Sequence, residues 1–316
     1  MALGPAVADR KRCPWSCVAA SRPGTADLSP GRVIVCNTTS SRAYPPNRVR
    51  VCIRLAPIQT FEDLETVSPF TFVAHTYNLL GTSRWTERRP SLERFFQLHR
   101  PDVLCTQELT PDACELISRI LPAMNRVDDP YDGWTNEGNI FWDADLFDAL
   151  GYGTADINIL EGDRRLAWVR LRIKDTGSTI VVATAHFDWF GTSREVADRI
   201  NVRVEQAERT VEALDALVGD DEPVLFMGDL NDDSHPLRVL RDAGFADSFT
   251  ALGRYPVPTH PARPMKGAYP PRTHDWMLHR GPIRPLLTTV IDAYVDDLPG
   301  SDHKPVATTY RIEAPA

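Results

Sequence analysis

A carboxylate and a carboxamide two residues apart, Asp229 and Asn231, close an apolar run that reads Val224-Leu225-Phe226-Met227-Gly228. Alternate residues of an extended chain point the same way, so both side chains face one site. The carboxylate only accepts hydrogen bonds and the amide also donates, a pairing suited to an attacking water beside a charged oxygen. Buried without partners the two would be costly, which argues against a packing role. The pattern recurs: apolar segments meet polar groups at Asn78, Glu108, His186 with Asp188, Asp275, and Asp302 with His303. One such residue alone reads as a turn or a cap. Repetition at six places points instead to a shared site, because a sheet presents functional groups at its strand ends.

Together these groups have what hydrolysis of a phosphate ester needs. Oxygen ligands such as Glu108 suit a hard divalent ion. A histidine near a carboxylate is held in one tautomer with its pKa raised. Amides and arginines can cradle the remaining phosphate oxygens. Trp85, Arg88, Arg165 and Asp188 are the candidate substrate contacts, since guanidinium groups match phosphate oxygens and a loop tryptophan can stack on a ring. The competing reading makes the arginines ordinary surface residues and Trp85 a cap on the neighbouring helix.

In chain order, Thr76-Tyr77-Asn78, Gln107-Glu108, Thr184-Ala185-His186-Phe187-Asp188, Gly228-Asp229-Leu230-Asn231, His274-Asp275-Trp276 and Ser301-Asp302-His303-Lys304-Pro305-Val306 resemble the motifs of the endonuclease/exonuclease/phosphatase superfamily, the DNase I-like phosphoesterases. The Arg164-Arg165-Leu166-Ala167-Trp168 segment, and Trp85 with Arg88, look most like its bacterial metal-dependent hydrolases. The resemblance covers Phe70 to Ile312. It implies an α/β fold, a four-layer α/β/β/α sandwich of two packed mixed β-sheets, with the site at one edge where the sheets meet. It also implies a Mg²⁺-dependent phosphoesterase, with Mn²⁺ as a substitute, that hydrolyses a phosphodiester in nucleic acid or in a small phosphorylated molecule. Glu108 would then be the principal metal ligand, with Asn78 close by and Asp302 near the ion. His186 would touch the scissile phosphate or protonate the leaving group, Asp229 would orient the water, and Asn231 would hold a phosphate oxygen. His303, oriented by Asp275, would act as base or as phosphate clamp. His274 and Trp276 depart from the usual neighbours of Asp275, which leaves the substrate open. The alternative is a metal- and phosphate-binding module of the same fold without turnover.

The bulk properties fit such a protein. Over 316 residues, a 42% apolar fraction and seven tryptophans suffice for a large core. A formal net charge of −8 gives no broad basic footprint for nonspecific nucleic-acid binding, although a local groove stays compatible with it. No apolar run approaches the roughly 20 residues that span a bilayer, and the N-terminus lacks the apolar core of a secretion signal. A cytoplasmic monomer is the expectation. Six cysteines are too few for a disulfide scaffold in a chain this long, and Cys13-Pro14-Trp15-Ser16-Cys17 has neither zinc-site spacing nor a nearby histidine. Neither a Gly-x-Ser-x-Gly elbow nor a phosphate-binding glycine loop occurs.

The elements that must position these residues begin late. Residues 1–68 have scattered prolines and arginines and read as a poorly structured extension dispensable for catalysis, with strand-like alternation only at 32–36 and 48–55. Residues 69–316 read as the catalytic domain. Strands are expected at 70–78, 102–106, 140–142, 167–173, 179–185 and 224–229, with a hairpin turn at 175–178. Late strand segments follow at 274–278 and after Pro305. A helix over 91–98 opens at Pro90, another enters through Thr110-Pro111, and 127–139 is a loop. One long amphipathic helix is expected over 193–217, with Val196, Ile200, Val204, Ala207, Val211, Leu214 and Leu217 on one stripe.

Overall fold

The computed structural model describes residues 17–18, 51–52, 69–160, 162, 164–219, 221–263 and 270–313. The chain divides into two compact units, Met1–Thr66 and Val67–Ala316. In the first, β1 (Cys17–Val18) pairs antiparallel with β2 (Val51–Cys52). The rest of the expected extension, with the alternation at 32–36 and Cys13, lies outside the described residues.

The second unit holds two six-stranded sheets. One runs in the order β13 (Ile283–Val290), β16 (Val306–Ile312), β3 (Phe70–Asn78), β4 (Val103–Gln107), β6 (Ile140–Asp143), β5 (Met124–Arg126). The other runs β11 (Ala246–Asp247), β12 (Asp275–Arg280), β10 (Val224–Asp229), β9 (Thr179–His186), β8 (Leu166–Ile173), β7 (Phe147–Ala155). A short hairpin joins β14 (Tyr294–Val295) to β15 (Leu298–Pro299). Both sheets are mixed, because β3 is parallel to β4 and β9 to β10 while their other pairings are antiparallel.

Strand alternation builds the layers. Phe70, Phe72, Ala74, Val103 and Cys105 of the first sheet meet Ile180, Val182, Leu225 and Met227 of the second in one buried cluster. The intervening residues face outward. Val181, Ala183, Val224 and Phe226 pack under α5 (Val202–Leu217) and α6 (His235–Asp242) through Ala207, Leu214, Leu237 and Leu240. Tyr77 and Leu104 pack under α1 (Trp85–Leu98) and α2 (Pro111–Ile120) through Leu92, Phe95, Phe96, Leu116 and Ile117. The result is the expected α/β/β/α sandwich. Each fully buried Leu or Phe contributes about 1.5–3 kcal/mol, so three extended clusters, and no single contact, hold the sandwich together.

Helix ends follow local chemistry, with two corrections. Thr110 caps α2 by accepting from Ala113 N, with Pro111 in the first turn, as expected. Helix α1 begins at Trp85 and carries Pro90 inside it, so Pro90 does not open the helix. The helix expected over 193–217 is two helices. Here α4 (Ser193–Asp198) stops at Arg199, whose φ of 54° is left-handed, and Asn201 caps α5 by accepting from Arg203 N. Val196 and Ile200 are consequently exposed and take no part in the stripe. The loop at 127–139 holds a short helix, α3 (Gly133–Asn136). Among the described residues no helix is long and apolar enough to cross a membrane.

Strand direction places the site. Parallel pairing carries the C-terminal ends of β3 and β4, and of β9 and β10, to common ends. In β12 the first residue, Asp275, lies opposite Asp229, because that strand is antiparallel to β10. Val306 lies opposite Thr76 for the same reason, which brings the 301–304 loop alongside Asn78.

Candidate active site

The alternation that builds the core also aims the site. Asn78 continues the inward face of Phe70, Phe72 and Ala74, and Gln107 that of Val103 and Cys105. His186 likewise follows Ile180 and Val182, Asp229 follows Leu225 and Met227, and Asp275 precedes Met277. Beneath the rim, Gln107 Nε2 donates to Thr76 Oγ1 at 3.1 Å and to Thr184 Oγ1 of the opposite sheet at 2.9 Å. A buried amide thus ties the two sheets together directly under the site.

Asp229 is the hub. Its Oδ2 accepts from Asn78 Nδ2 at 3.0 Å and lies 3.4 Å from His186 Nε2 and 3.6 Å from His303 Nε2. Its Oδ1 accepts from Asn231 N at 2.9 Å. Asn231 Nδ2 donates to Phe187 O at 3.0 Å and sits 3.1 Å from His186 Nε2. Asn78 Nδ2 also donates to Glu108 Oε1 at 3.1 Å, and Asp275 Oδ2 holds His303 Nδ1 at 2.8 Å. Asp302 stands at the outer rim, 3.7 Å from His260 Nε2. The strands bearing His186 and Asp229 approach so closely that a Cβ at Gly228 would lie 2.1 Å from Ala185 O, which leaves room only for glycine. Glu108 and Asn231 both have a φ of 49°, left-handed backbone that costs a non-glycine residue about 1–3 kcal/mol.

Charges at the hub are polarised. Burial opposes the charge on His303, but Asp275 and Asp229 outweigh it and hold its pKa up to about 10. Burial pushes His186 down to about 3, with Asp229 only partly opposing. Burial alone would raise Asp229, yet His303 and His186 keep it well below the usual carboxylate range. At neutral pH the rim therefore presents a carboxylate between an imidazolium and a neutral imidazole. Burial raises the Glu108 carboxyl, and Asn78 and His303 offset this only in part.

Those features fit a divalent cation. Burial disfavours the charged form of Glu108, and the buried Asp275 Oδ1 has no hydrogen-bond partner among the described residues. Two groups have ligand atoms within 4.8 Å of one another, Asp229 with Asp275 and His303, and His260 with Asp302 and His303. The Glu108 carboxylate suits a hard ion, while the Asn78 amide beside it turns Nδ2 to Glu108 and Oδ1 to Leu80 N.

The candidate substrate contacts fare differently. Arg88 is buried, and its guanidinium donates to Ser83 O, Leu80 O, Gly81 O and, at 2.9 Å, Gly300 O, so it braces the loops behind Asn78 and Asp302 instead of facing a substrate. Trp85 packs at the start of α1 beside α2, 5.2 Å from the Arg88 guanidinium, in a surface hollow it shares with Arg89, Glu115 and Arg119. Asp188 is buried and accepts from Gln206 Nε2 at 2.7 Å and from Leu160 N, so it anchors α5 to the 157–160 loop. Arg165 is exposed, 5.5 Å over the Tyr131 ring, in a cleft it shares with Trp134, Glu137, Arg164 and His186.

Several residues at or behind the site escaped the sequence reading. Thr259 Oγ1 accepts from both His274 N and Asp275 N, which fixes the start of β12. Arg203, buried in α5, donates to Asp188 O at 3.1 Å and pairs with Glu195 at 2.6 Å and Asp232 at 3.3 Å. The signal was present: Arg203 and Gln206 are polar residues on the apolar side of an amphipathic helix. His260 carried no comparable signal, whereas Arg164, paired with Glu137 at 2.9 Å, lies in the 164–168 segment already noted but was not singled out within it.

Residues 75–303 match the model of the Endonuclease/Exonuclease/phosphatase family, and the chain belongs to that family, whose members are phosphoesterases and nucleases. The chain is 28% identical to protein angel of Drosophila melanogaster over 195 residues, which are 57% of this chain and 52% of that protein. It thus spans about half the length of that curated relative. A family member from Bacteroides thetaiotaomicron superposes with a TM-score of 0.63 at 20% identity, over 78% of this chain and 100% of the other. TDP2 of D. rerio with a single-stranded DNA product gives 0.64 at 18% identity, over 76% and 98%. A mannosyl-6-phosphatase of Bacteroides thetaiotaomicron gives 0.63 at 21%, over 76% and 99%. At these identities the structural likeness is one of fold.

Proposed function

We propose that the chain is a Mg²⁺-dependent phosphoesterase that hydrolyses a phosphodiester, with Glu108 as principal metal ligand and Asn78 and Asp302 beside it. The observation that carries this reading is the convergence of Asn78, His186 and His303 on one carboxylate oxygen of Asp229. The cation, when bound, would screen the ester's charge and polarise phosphorus. Asp229, kept ionised, accepts a hydrogen bond from the attacking water and orients it. His303, kept protonated between Asp275 and Asp229, offers Nε2–H to a phosphate oxygen, so it enters as a clamp or acid and not as a base. Asn231 Nδ2 donates to a second oxygen. His186, neutral, faces the leaving-group side.

The narrow cleft lined by Tyr131, Trp134, Arg164 and Arg165 adjoins His186, and the exposed Arg165 at its mouth would offer guanidinium to a further anion of the substrate. Among the structural neighbours, one holds single-stranded DNA product and one is named a mannosyl-6-phosphatase, which supports testing single strands and sugar phosphates first.

Hydrolysis of an aryl phosphodiester is expected with Mg²⁺ or Mn²⁺ and lost with chelator. Glu108→Ala should lower kcat by several orders of magnitude, because groups acting as a unit fail together. Chelator-insensitive turnover, or full activity in Glu108→Ala, sinks the proposal. Metal binding without turnover across single-stranded DNA, RNA, abasic duplex, inositol phosphates, sugar phosphates and sphingomyelin would favour the idle module.

A further inference from the structure

We infer that Arg203, in the first turn of α5, is a positioning residue for the hydrolysis proposed above, fixing Asn231 against His186 by gripping both strand-end loops at once. Its guanidinium donates to Asp188 O at 3.1 Å, just beyond the end of β9 that carries His186, and to Oδ2 of Asp232, the neighbour of Asn231, at 3.3 Å. Its other donations go to Glu195 of α4, at 2.6 and 3.3 Å. A planar fork of five donors reaches three segments in this way, whereas the point charge of a lysine meets one. Arg203 is 2% exposed. A buried ion pair adds little stability over an apolar side chain of similar volume, so packing alone does not account for a charge at this position.

The start of α5 repeats the grip. Gln206, three residues on and so on the same face, accepts from Asp188 N at 3.1 Å and donates to Asp188 Oδ2 at 2.7 Å. Asn201, the cap, donates to Asp232 Oδ2 at 2.7 Å. The other oxygens of Asp232 are also held: Oδ1 accepts from Ser234 N at 2.8 Å, and the carbonyl from Trp276 Nε1 at 3.0 Å. Between these two anchors Asn231, with its φ of 49°, donates from Nδ2 to Phe187 O at 3.0 Å and sits 3.1 Å from His186 Nε2. Left-handed backbone at a residue other than glycine persists where its surroundings over-determine it, and the fixed Asp232 supplies that constraint. Arg203 thus acts through Asp188 and Asp232, from behind the two loops.

The inference rests on the phosphoesterase reading, so one readout is independent of turnover. Arg203→Lys keeps the positive charge between Glu195 and Asp232, and circular dichroism with melting defines the range in which the full chain stays folded. Within that range kcat for an aryl phosphodiester with Mg²⁺ is expected to fall at least tenfold (about 1.4 kcal/mol) while KM stays within about twofold. Arg203→Gln, which gives up the charge but keeps a donor, is the second variant and should behave alike. Added to Asn231→Ala, either change should cost less than about a further twofold, because both remove the same fixed amide. With ¹⁵N-labelled histidine and neither metal nor substrate, the Arg203 variants should shift the His186 ring resonances. Arg170→Ala, which breaks another arginine pair, with Glu222 at 2.9 Å, should leave them in place. Absence of turnover in the wild type counts against the phosphoesterase reading alone, and the resonances then decide on Arg203. Wild-type kcat in the folded Arg203 variants, a multiplicative loss in the double variant, or unmoved His186 resonances overturns the inference.

Discussion

At the level of single residues, the two histidines flanking Asp229 hold opposite protonation states, and each leaves a signature on stability. Folded His303 keeps its proton up to about 10, whereas a histidine in an unfolded chain releases it near pH 6.5. Its contribution is therefore complete below about pH 6.5 and fades as the pH rises toward about 10. His186, held neutral down to about 3, favours folding above about pH 6.5 and loses that contribution as the pH falls toward about 3. With chelator present, the melting temperature should decline from about pH 6.5 to 10, and His303→Gln should flatten that limb while leaving the acid limb intact. An alkaline limb identical in the two proteins would contradict the assigned charge states. Position and chemistry of these residues were legible because strand parity by itself aims a side chain. Their charges were not, since they depend on burial and on partners far away in sequence, such as Asp275 for His303.

Among elements, the contrast is sharpest at Arg88. Sequence placed it in a loop after the first strand, and in the structure it lies inside α1 with its donors spent on carbonyls from 80–83 and on Gly300. It links the loop following Asn78 to the one preceding Asp302. Arg88→Ala leaves those carbonyls short of a donor, with an expected loss of about 3 kcal/mol, or roughly 6–12 °C in melting temperature. Steady-state kinetics should show kcat falling more than KM rises. An unchanged melting temperature with raised KM would restore the substrate-contact reading. Central strands were legible because their apolar runs end cleanly. Edge strands were not: β7 carries Gly151 and Gly153 and β13 carries Pro285, residues that argue against a strand and that an edge tolerates. The break at Arg199 was hidden for another reason. Val196 and Ile200 fall on the apolar period by sequence, and only the left-handed turn rotates them away.

The whole molecule sets a rigid four-layer frame against one uneasy patch. Two sheets tied by buried clusters and by Gln107 support a rim where two residues are held in left-handed backbone and burial raises the Glu108 carboxyl above its ordinary value. Because burial raises the Glu108 pKa, its ionised form is disfavoured in the folded chain relative to the unfolded one. A ligand that relieves the patch must stabilise the whole chain, by about 2.7 kcal/mol at a hundred times its Kd. Melting should therefore rise roughly 5–11 °C when Mg²⁺ is added at that level. Glu108→Gln should melt higher than wild type without metal and lose most of the Mg²⁺ increment; a variant that keeps the full increment would exonerate Glu108. The protein in this way carries its own gauge. Candidate ions and substrates can be ranked by heat alone, each tried for how far it quiets the rim, before any product has been identified.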